Sequence, residues 1–245
     1  MTDTTVASDS NRIIQGLWIG SELSIMEQLS IASFLKHGHQ YHLYAYQELR
    51  TVPAGAIVKD GNEILPASDI FDFKERLSYA TGFCEFFRYK LLLERGGWWA
   101  DTDMVCLRPF DFADDYVFSS EFNLETGREV TNVGVIKAPA GSEAIAYAWQ
   151  VCQTKQPDKL AWGEAGPALM ATTVKKFRLD KYQKPYYLFC PISEWNKLLE
   201  PYTAGIDEAA YGLHLWSSTW DFMKQDKNGT YHPDCIYERL KAIYL

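Results

Sequence analysis

The sequence is short of positive charge: 24 Lys and Arg residues stand against 32 Asp and Glu residues, a formal net charge of −8 over 245 residues. Proteins that hold nucleic acid by neutralising phosphates show the opposite balance, so nucleic acid is excluded as the expected partner. The acidity also disfavours an anionic ligand, unless some of the carboxylates act through a bound cation.

Long apolar runs and paired cysteines are missing as well. No stretch reaches the roughly 18 apolar residues of a membrane-spanning helix. Residues 1–11 are rich in Thr, Ser and Asp and have no apolar centre, which predicts a flexible N-terminus and no signal peptide. The 5 cysteines are odd in number and never spaced as Cys-x-x-Cys. This spacing predicts neither a zinc site nor a disulfide framework, and it fits a cytoplasmic protein.

The chain does have abundant apolar and aromatic side chains. Hydrophobic residues make up 47% and aromatic residues 15% of the sequence, with 8 Trp, so a disordered chain is excluded. No internal repeat and no linker rich in Pro or Gly divides the sequence. We therefore predict a single domain over residues 1–245.

Short apolar strands alternate with helices along this domain. We predict strands at residues 12–19, 42–46, 98–100, 116–119, 133–137, 186–191 and 212–216. We predict helices from the capping box at 24–27 to about 38, and at 79–95, 142–153, 167–177 and 237–244. The alternation is typical of an α/β fold with a mainly parallel central sheet flanked by helices, in which ligands bind at the carboxyl ends of the strands.

The strongest chemical signal is Asp101-Thr102-Asp103, which follows a double glycine and the short strand at 98–100. Two like charges this close repel each other unless one is neutralised or the pair holds a cation. Mn²⁺ and Mg²⁺ prefer oxygen ligands and often share them with substrate phosphates. Aspartates in this spacing also occur in exposed turns, but the buried strand before them favours a metal site for a nucleotide diphosphate.

The helix before this strand carries two charges among apolar residues. Glu85 and Arg88 share one sector of the helix, and the remaining circumference is apolar. The pair could form a surface ion pair or face a ligand cleft. We favour the cleft, because the helix leads directly to Asp101.

Residues 83–103 resemble the signature of the DXD-containing, sugar-binding glycosyltransferases. The family form is S-D-hydrophobic-hydrophobic-R-Y followed by L-Y-x-x-G-G-x-Y/W-x-D-x-D, where this chain has CEFFRY and LLLERGGWWADTD. Residues 13–20, IIQGLWIG, resemble the opening strand of that family. The family has the GT-A fold, a nucleotide-binding α/β fold, and includes bacterial capsule and lipopolysaccharide transferases; the large glucosylating toxins share its core.

The resemblance implies an enzyme with a defined reaction. It would be a metal-dependent glycosyltransferase that moves a hexose or N-acetylhexosamine from a UDP-sugar to a carbohydrate, glycolipid or other hydroxyl acceptor, with retention of configuration. The donor would be UDP-glucose, UDP-galactose or an N-acetyl form. The cofactor would be Mn²⁺ or Mg²⁺.

The resemblance also implies roles for five residues near the motif. Trp18 would stack on the uracil, although the pattern fits an ordinary core tryptophan equally well, and Arg88 would contact the diphosphate or the donor sugar. Glu85, where the family usually has Asp, would contact sugar or ribose hydroxyls. Asp101 would lie near the ribose and the donor sugar, and Asp103 would be the principal metal ligand.

Two later segments resemble further parts of the family site. Asn132 would face the donor, although an Asn before a strand is also common in turns. His214 would join the aspartates as a metal ligand, although a single His is often structural. Ser218 and Trp220 would donate hydrogen bonds to phosphate oxygens.

A basic run lies outside the resemblance. Most such runs are solvated helix faces. The second interpretation is peripheral contact with the anionic inner face of a membrane. The run consists of Lys175, Lys176, Arg178, Lys181 and Lys184.

Two other functions fit parts of the sequence. Residues 101–105 also satisfy the D-x-D-x-[TV] pattern of haloacid-dehalogenase-type phosphatases, but the later acidic loop of that class is missing. A non-catalytic nucleotide-sugar binding module with a vestigial site is the other alternative. The complete Asp101-Thr102-Asp103 motif and Arg88 favour the glycosyltransferase.

Overall fold

A computed structural model describes residues 12–71, 81–201 and 205–245. Its strands are β1 (Ile13–Leu17), β2 (Gln40–Ala45), β3 (Ile57–Asp60), β4 (Gly97–Ala100), β5 (Met104–Cys106), β6 (Val117–Asn123), β7 (Arg128–Ala138) and β8 (Gly212–His214). Its α-helices are α1 (Ile25–Lys36), α2 (Thr81–Arg95), α3 (Glu143–Gln153), α4 (Pro167–Lys176), α5 (Ser217–Met223) and α6 (Ile236–Tyr244).

The central sheet has six strands in the order β3-β2-β1-β4-β7-β6. β1 pairs in parallel with β2 and β4, and β2 pairs in parallel with β3. β7 is antiparallel to both β4 and β6, so five of the six described strands share one direction. The predicted α/β fold with a mainly parallel sheet is therefore confirmed, and the carboxyl ends of β1 and β4 meet at one edge.

Helices cover both faces of this sheet, and the two tryptophans of β4 show the alternation. Trp99 packs into a cluster with the apolar residues of α2, α3 and α4. Trp98 points to the other face, where it packs with α1 residues such as Phe34. Because both faces are buried, the strand is apolar throughout, and the chain becomes polar only where β4 ends.

A second, two-stranded ladder brings the C-terminal part of the chain to the end of β4. β5 pairs with β8 in antiparallel register, with Met104 opposite His214. The Leu215 amide donates a hydrogen bond to the Asp103 carbonyl at 2.9 Å. This ladder places residues 214–218 beside the Asp101-Thr102-Asp103 motif.

The first helix begins as the sequence predicts. Ser24 accepts a hydrogen bond from the Met26 amide, and the Glu27 carboxylate accepts one from the Ser24 amide, which completes the capping box. Residues 1–11, the predicted flexible N-terminus, and residues 79–80 of the predicted second helix lie outside the described residues. Among the residues that are described, none forms a helix long and apolar enough to cross a membrane.

The predicted strand at 186–191 is wrong. Residues Tyr186–Leu188 form a short 3₁₀ helix, and the Cys190 amide bonds back to the Tyr186 carbonyl at 2.7 Å. Pro185 and Pro191 flank the segment and cannot donate to a strand ladder, which outweighs the aromatic β-propensity between them. The sequence analysis also missed β3, β5 and α5, which are short.

Candidate active site

A cleft of about 580 Å³ opens at the carboxyl ends of β1 and β4. One wall comes from α2 and the end of β4, and the opposite wall comes from the segment after β8. Eight of the nine predicted site residues line it: Trp18, Glu85, Arg88, Asp101, Asp103, Asn132, His214 and Ser218. Trp220, the ninth, does not line it.

Arg88 and Trp99 fix the Asp101 carboxylate. Arg88 Nη2 and Trp99 Nε1 both donate to Asp101 Oδ1, each at 2.7 Å. The Arg88 guanidinium lies 5.0 Å from the centre of the Trp99 ring, and its side chain is only 4% exposed. Arg88 Nε and Nη1 are buried and have no hydrogen-bond partner. Arg88 therefore orients Asp101 and still has donors for a ligand in the cleft.

Glu85 lies on the same wall and is buried. Burial raises its pKa to about 8, with Arg88 opposing and Asp101 reinforcing the shift. Its Oε2 has no hydrogen-bond partner. A Cβ at Gly166 would come within 2.1 Å of Glu85 Oε1, so the glycine makes room for the carboxyl group. Near pH 7 much of Glu85 is protonated, and a protonated carboxyl group can both donate and accept hydrogen bonds.

Asp103 is held by the opposite wall. Its Oδ2 accepts a hydrogen bond from the Ser217 amide at 2.8 Å and lies 3.3 Å from His214 Nε2. Burial alone would raise the pKa of Asp103, but the charge and hydrogen bond of His214 outweigh it and lower the pKa. Burial conversely lowers the pKa of His214, and Asp103 reverses this and raises it well above 6.5.

His214 sits behind Asp103. Its ring packs against Trp216, with ring centres 4.1 Å apart, and its Nδ1 is buried without a hydrogen-bond partner. In this arrangement His214 Nε2 is occupied by the Asp103 carboxylate. The ring supports Asp103 and has one free nitrogen on its other side.

Ser218 and Trp220 point to different sides of α5. Residues two positions apart on an α-helix are separated by about 200° around its axis. Ser218 lines the cleft, whereas Trp220 is fully buried against Tyr237, with ring centres 4.9 Å apart. The structure therefore does not bring Trp220 to the cleft.

Trp18 and Asn132 both line the cleft, but they differ in burial and in their hydrogen bonds. Trp18 is half-buried, and its Nε1 donates to the Glu22 carbonyl at 3.1 Å, which fixes the ring. Asn132 is buried and uses its amide within the protein: Nδ2 donates to Glu121 Oε2 at 2.6 Å, and Oδ1 accepts from the Gly134 amide at 2.6 Å. Asn132 thus orients Glu121, which also lines the cleft.

Lys227 is a further cleft residue that no sequence pattern indicates. Its ammonium group lies 2.7 Å from Asp221 Oδ1 and 4.0 Å from Glu27 Oε1, and it lines the cleft near Asp103. The turn that carries it is tied to α1, because Asn228 Oδ1 accepts a hydrogen bond from the Ile25 amide at 2.9 Å. Only the folded chain brings this turn to the site, so no local pattern could have shown it.

The two aspartates can hold a divalent cation. One oxygen of each carboxylate is bonded, Oδ1 in Asp101 and Oδ2 in Asp103. Within the described residues, the other oxygen of each carboxylate has no hydrogen-bond partner. Two carboxylate oxygens that remain available in a cleft fit the ligand preference of Mg²⁺ and Mn²⁺.

Comparison with known families decides the identity of this region. Residues 25–122 match the glycosyltransferase sugar-binding region containing the DXD motif. The match includes Glu85 and Arg88 on one wall and both aspartates of the motif. Residues 25–122 are thus similar to the DXD-containing glycosyltransferases, over less than half of the chain. In this chain the motif lies directly after β4, at the carboxyl end of that strand.

Several solved structures are similar to this chain. The PaToxG glycosyltransferase is 15% identical over 68% of this chain and 69% of its own, with a TM-score of 0.48. The glycosyltransferase GlyE of Streptococcus pneumoniae TIGR4 is 11% identical over 96% of this chain and 63% of its own, also with a TM-score of 0.48. No curated protein matches the sequence. The similarity to the family therefore rests on residues 25–122.

Proposed function

We propose that this glycosyltransferase moves a hexose or N-acetylhexosamine from a UDP-sugar to a hydroxyl group of a carbohydrate or lipid-linked acceptor, with retention of configuration. The observation that best supports the donor is the juxtaposition of Asp101, Asp103 and Arg88 in one cleft. Two carboxylates with available oxygens and a buried cation with available N–H groups are complementary to a diphosphate with its divalent ion.

Mn²⁺ or Mg²⁺ would be held by Asp101 and Asp103. When bound, such an ion stabilises negative charge on the departing diphosphate as a Lewis acid. The two walls give the carboxylates different partners, with Arg88 beside Asp101 and His214 beside Asp103. Each carboxylate of the motif therefore has a neighbour that can carry a positive charge.

Arg88 supplies a permanent positive charge. A guanidinium group does not lose its proton in proteins, and two of its nitrogens remain unpaired here. We assign it to the diphosphate or to a sugar hydroxyl. Because Asp101 and Trp99 hold it in place before any ligand binds, little reorganisation is needed as charge develops on the leaving group.

Glu85 and Trp18 would select the donor. A largely protonated Glu85 can accept from one sugar or ribose hydroxyl and donate to another. Trp18 presents a fixed indole ring at the end of β1, which suits stacking on the flat uracil ring. Together they would recognise the two ends of a UDP-sugar around the diphosphate.

The biological setting follows the family resemblance. We propose a cytoplasmic bacterial enzyme of polysaccharide biosynthesis. The basic run adds no partner to this proposal. Three of its five members have contacts within the protein: Lys184 is paired with Asp114 at 2.7 Å, and Lys176 and Lys181 lie over the rings of Tyr147 and Tyr182 at 4.9 and 4.7 Å. Membrane contact through these residues has no support in their arrangement.

Release of UDP tests the proposal directly. The purified chain, stripped of metal with a chelator, is incubated with UDP-glucose, UDP-galactose and their N-acetyl forms, with and without Mn²⁺. We expect Mn²⁺ to stimulate UDP release from one of them, and Asp103→Asn to reduce it by about 10²–10³-fold. Asp115→Asn is the control, because that carboxylate is exposed and lies outside the cleft.

Two results would overturn the proposal. Equal turnover by the wild type and Asp103→Asn would remove the role of the motif. Mn²⁺-dependent protection by a UDP-sugar against thermal unfolding, without any UDP release, would instead indicate a binding module.

A further inference from the structure

A cluster of different chemistry lies directly behind Asp103. The ligand atoms of Glu121, Cys190 and His214 all lie within 4.8 Å of one another. Glu121 comes from β6, His214 ends β8, and Cys190 comes from the segment that the sequence analysis took for a strand. Glu121 and His214 line the cleft, and Cys190 is fully buried next to them.

The imidazole of His214 is arranged as in a metal-ligating histidine. Such a histidine usually donates its other ring N–H to a carboxylate, which fixes the ring and its tautomer. Here Nε2 faces Asp103 Oδ2 at 3.3 Å, and Nδ1 is buried with no hydrogen-bond partner. A buried nitrogen without a partner is costly unless something binds it.

The Glu121 carboxylate has the matching support. Its Oε2 accepts the hydrogen bond from Asn132 Nδ2 at 2.6 Å. Ligating carboxylates are commonly oriented by hydrogen bonds of this kind. The buried amide of Asn132 therefore orients Glu121, just as Asp103 orients the ring of His214.

The combination of ligands indicates which metal fits. One thiol, one imidazole and one carboxylate are a typical ligand set for Zn²⁺, whereas Mg²⁺ and Mn²⁺ prefer oxygen alone. Ligand atoms of a tetrahedral zinc lie roughly 3.3–3.7 Å apart, so no pair of these atoms needs to approach by more than about 1.5 Å. A fourth position would face the cleft, since two of the three ligands line it.

We infer that Glu121, Cys190 and His214 form a second metal site, selective for a soft divalent ion such as Zn²⁺ and separate from the aspartates of the DXD motif. The site does not depend on the identity of the sugar donor. The absence of Cys-x-x-Cys spacing does not argue against it, because its ligands are distant in sequence and meet only in the fold. A metal here would share His214 with Asp103, so the two sites would be coupled.

Cobalt provides the test, because Co²⁺ occupies zinc sites and a thiolate ligand gives it a charge-transfer absorption in the near ultraviolet. The metal-free chain is titrated with Co²⁺ in the presence of excess Mg²⁺, which occupies sites that have only oxygen ligands. We expect a thiolate band that saturates near one Co²⁺ per chain and is abolished by Zn²⁺. Cys190→Ser should remove the band and weaken Zn²⁺ binding by at least about tenfold.

Two further variants keep the test decisive. Cys84→Ser is the matched control, because Cys84 also lines the cleft but lies outside the cluster, and it should keep the band. Glu121→Gln should keep the band and weaken Co²⁺ binding by about tenfold or more, which covers the case that Cys190→Ser does not fold. A wild-type titration without a thiolate band overturns the inference, and so does a band that survives in folded Cys190→Ser or an unchanged affinity in Glu121→Gln.

Discussion

The two walls of the cleft hold the two aspartates of one motif by different chemistry. On the α2 wall, Asp101 is bound to Arg88, a buried cation with a permanent charge. On the β8 wall, Asp103 is bound to His214, whose charge is created by the aspartate itself. The chain turns between them, with the Met104 amide bonded to the Asp101 carbonyl at 3.0 Å. Arg88 on the α2 wall therefore keeps its positive charge, whereas His214 on the β8 wall can lose its charge as the pH rises.

The largest effect of this difference should be on stability. Asp101→Asn leaves the Arg88 charge buried without an anion, and we expect the free energy of unfolding to fall by about 3 kcal/mol. Guanidinium unfolding measures it. Asp114→Asn is the control, because Asp114 forms an ion pair with Lys184 but is 41% exposed, so it should cost less than about 1 kcal/mol. Equal losses in both variants would contradict the importance of burial for the Arg88 pair.

Glu85 makes the stability of the α2 wall depend on pH. Its pKa rises from an ordinary value of 4.5 to about 8 in the folded chain, so the folded state binds more protons between these values. The free energy of unfolding should therefore fall as the pH rises from 6 to 8, by about 2 kcal/mol for this group. Glu85→Gln should remove this component of the slope when urea unfolding is repeated across the range. Parallel pH profiles for the two proteins would show that Glu85 is not protonated.

Trp18 and Trp220 provide a comparison between a tryptophan in the cleft and one beside it. Trp18→Ala should weaken UDP binding about tenfold, or ~1.4 kcal/mol, through loss of base stacking. Trp220→Phe should leave the affinity unchanged, because Trp220 lies in the core. Calorimetric titration with UDP measures both. A larger loss of UDP affinity in Trp220→Phe than in Trp18→Ala would contradict this assignment of the two rings.

The smallest stability effect should come from the β8 wall. Asp103→Asn removes the partner of His214, but the imidazole can lose its proton, so the cost should be about 1 kcal/mol. The loss should be largest between pH about 4 and 6.5, where both groups of the pair are ionised in the folded and the unfolded chain. It should shrink as the pH rises through the raised pKa of His214.

The titration of His214 itself gives the sharper readout of this wall. Asp103→Asn removes the strongest influence that raises the pKa of His214, whereas burial, which lowers the pKa, and the neighbouring Cys190, which raises it, remain. A proton NMR titration of the five histidines should show one with a strongly raised pKa in the wild type whose pKa falls in the variant. A His214 resonance that titrates identically in both proteins would disprove the coupling.

Residues that are local in sequence could be predicted, and those that the topology brings together could not. The helix with Glu85 and Arg88, the buried β4 and the aspartates after it lie within 20 residues, and periodicity places them correctly. Glu121, Cys190 and Lys227 reach the cleft only through sheet order, the β5–β8 ladder and a turn tied to α1.

Two predictions from the sequence differ from the structure for reasons of backbone geometry. The family resemblance assigns Ser218 and Trp220 to one site, but residues two positions apart lie about 200° apart around the helix that they form. Residues 186–191 have strand-forming side chains, yet the prolines at both ends remove donors that a ladder needs. In both cases the geometry of the backbone overrides the identity of the side chains.

The central claim is that both walls act on one diphosphate through a cation between them. Calorimetric titration of the metal-free wild type and Asp103→Asn with UDP, in the presence and absence of Mn²⁺, tests it most directly. The account predicts that Mn²⁺ tightens UDP binding by at least about tenfold in the wild type and has no effect on the variant. Equal UDP affinity with and without Mn²⁺ in the wild type would contradict it.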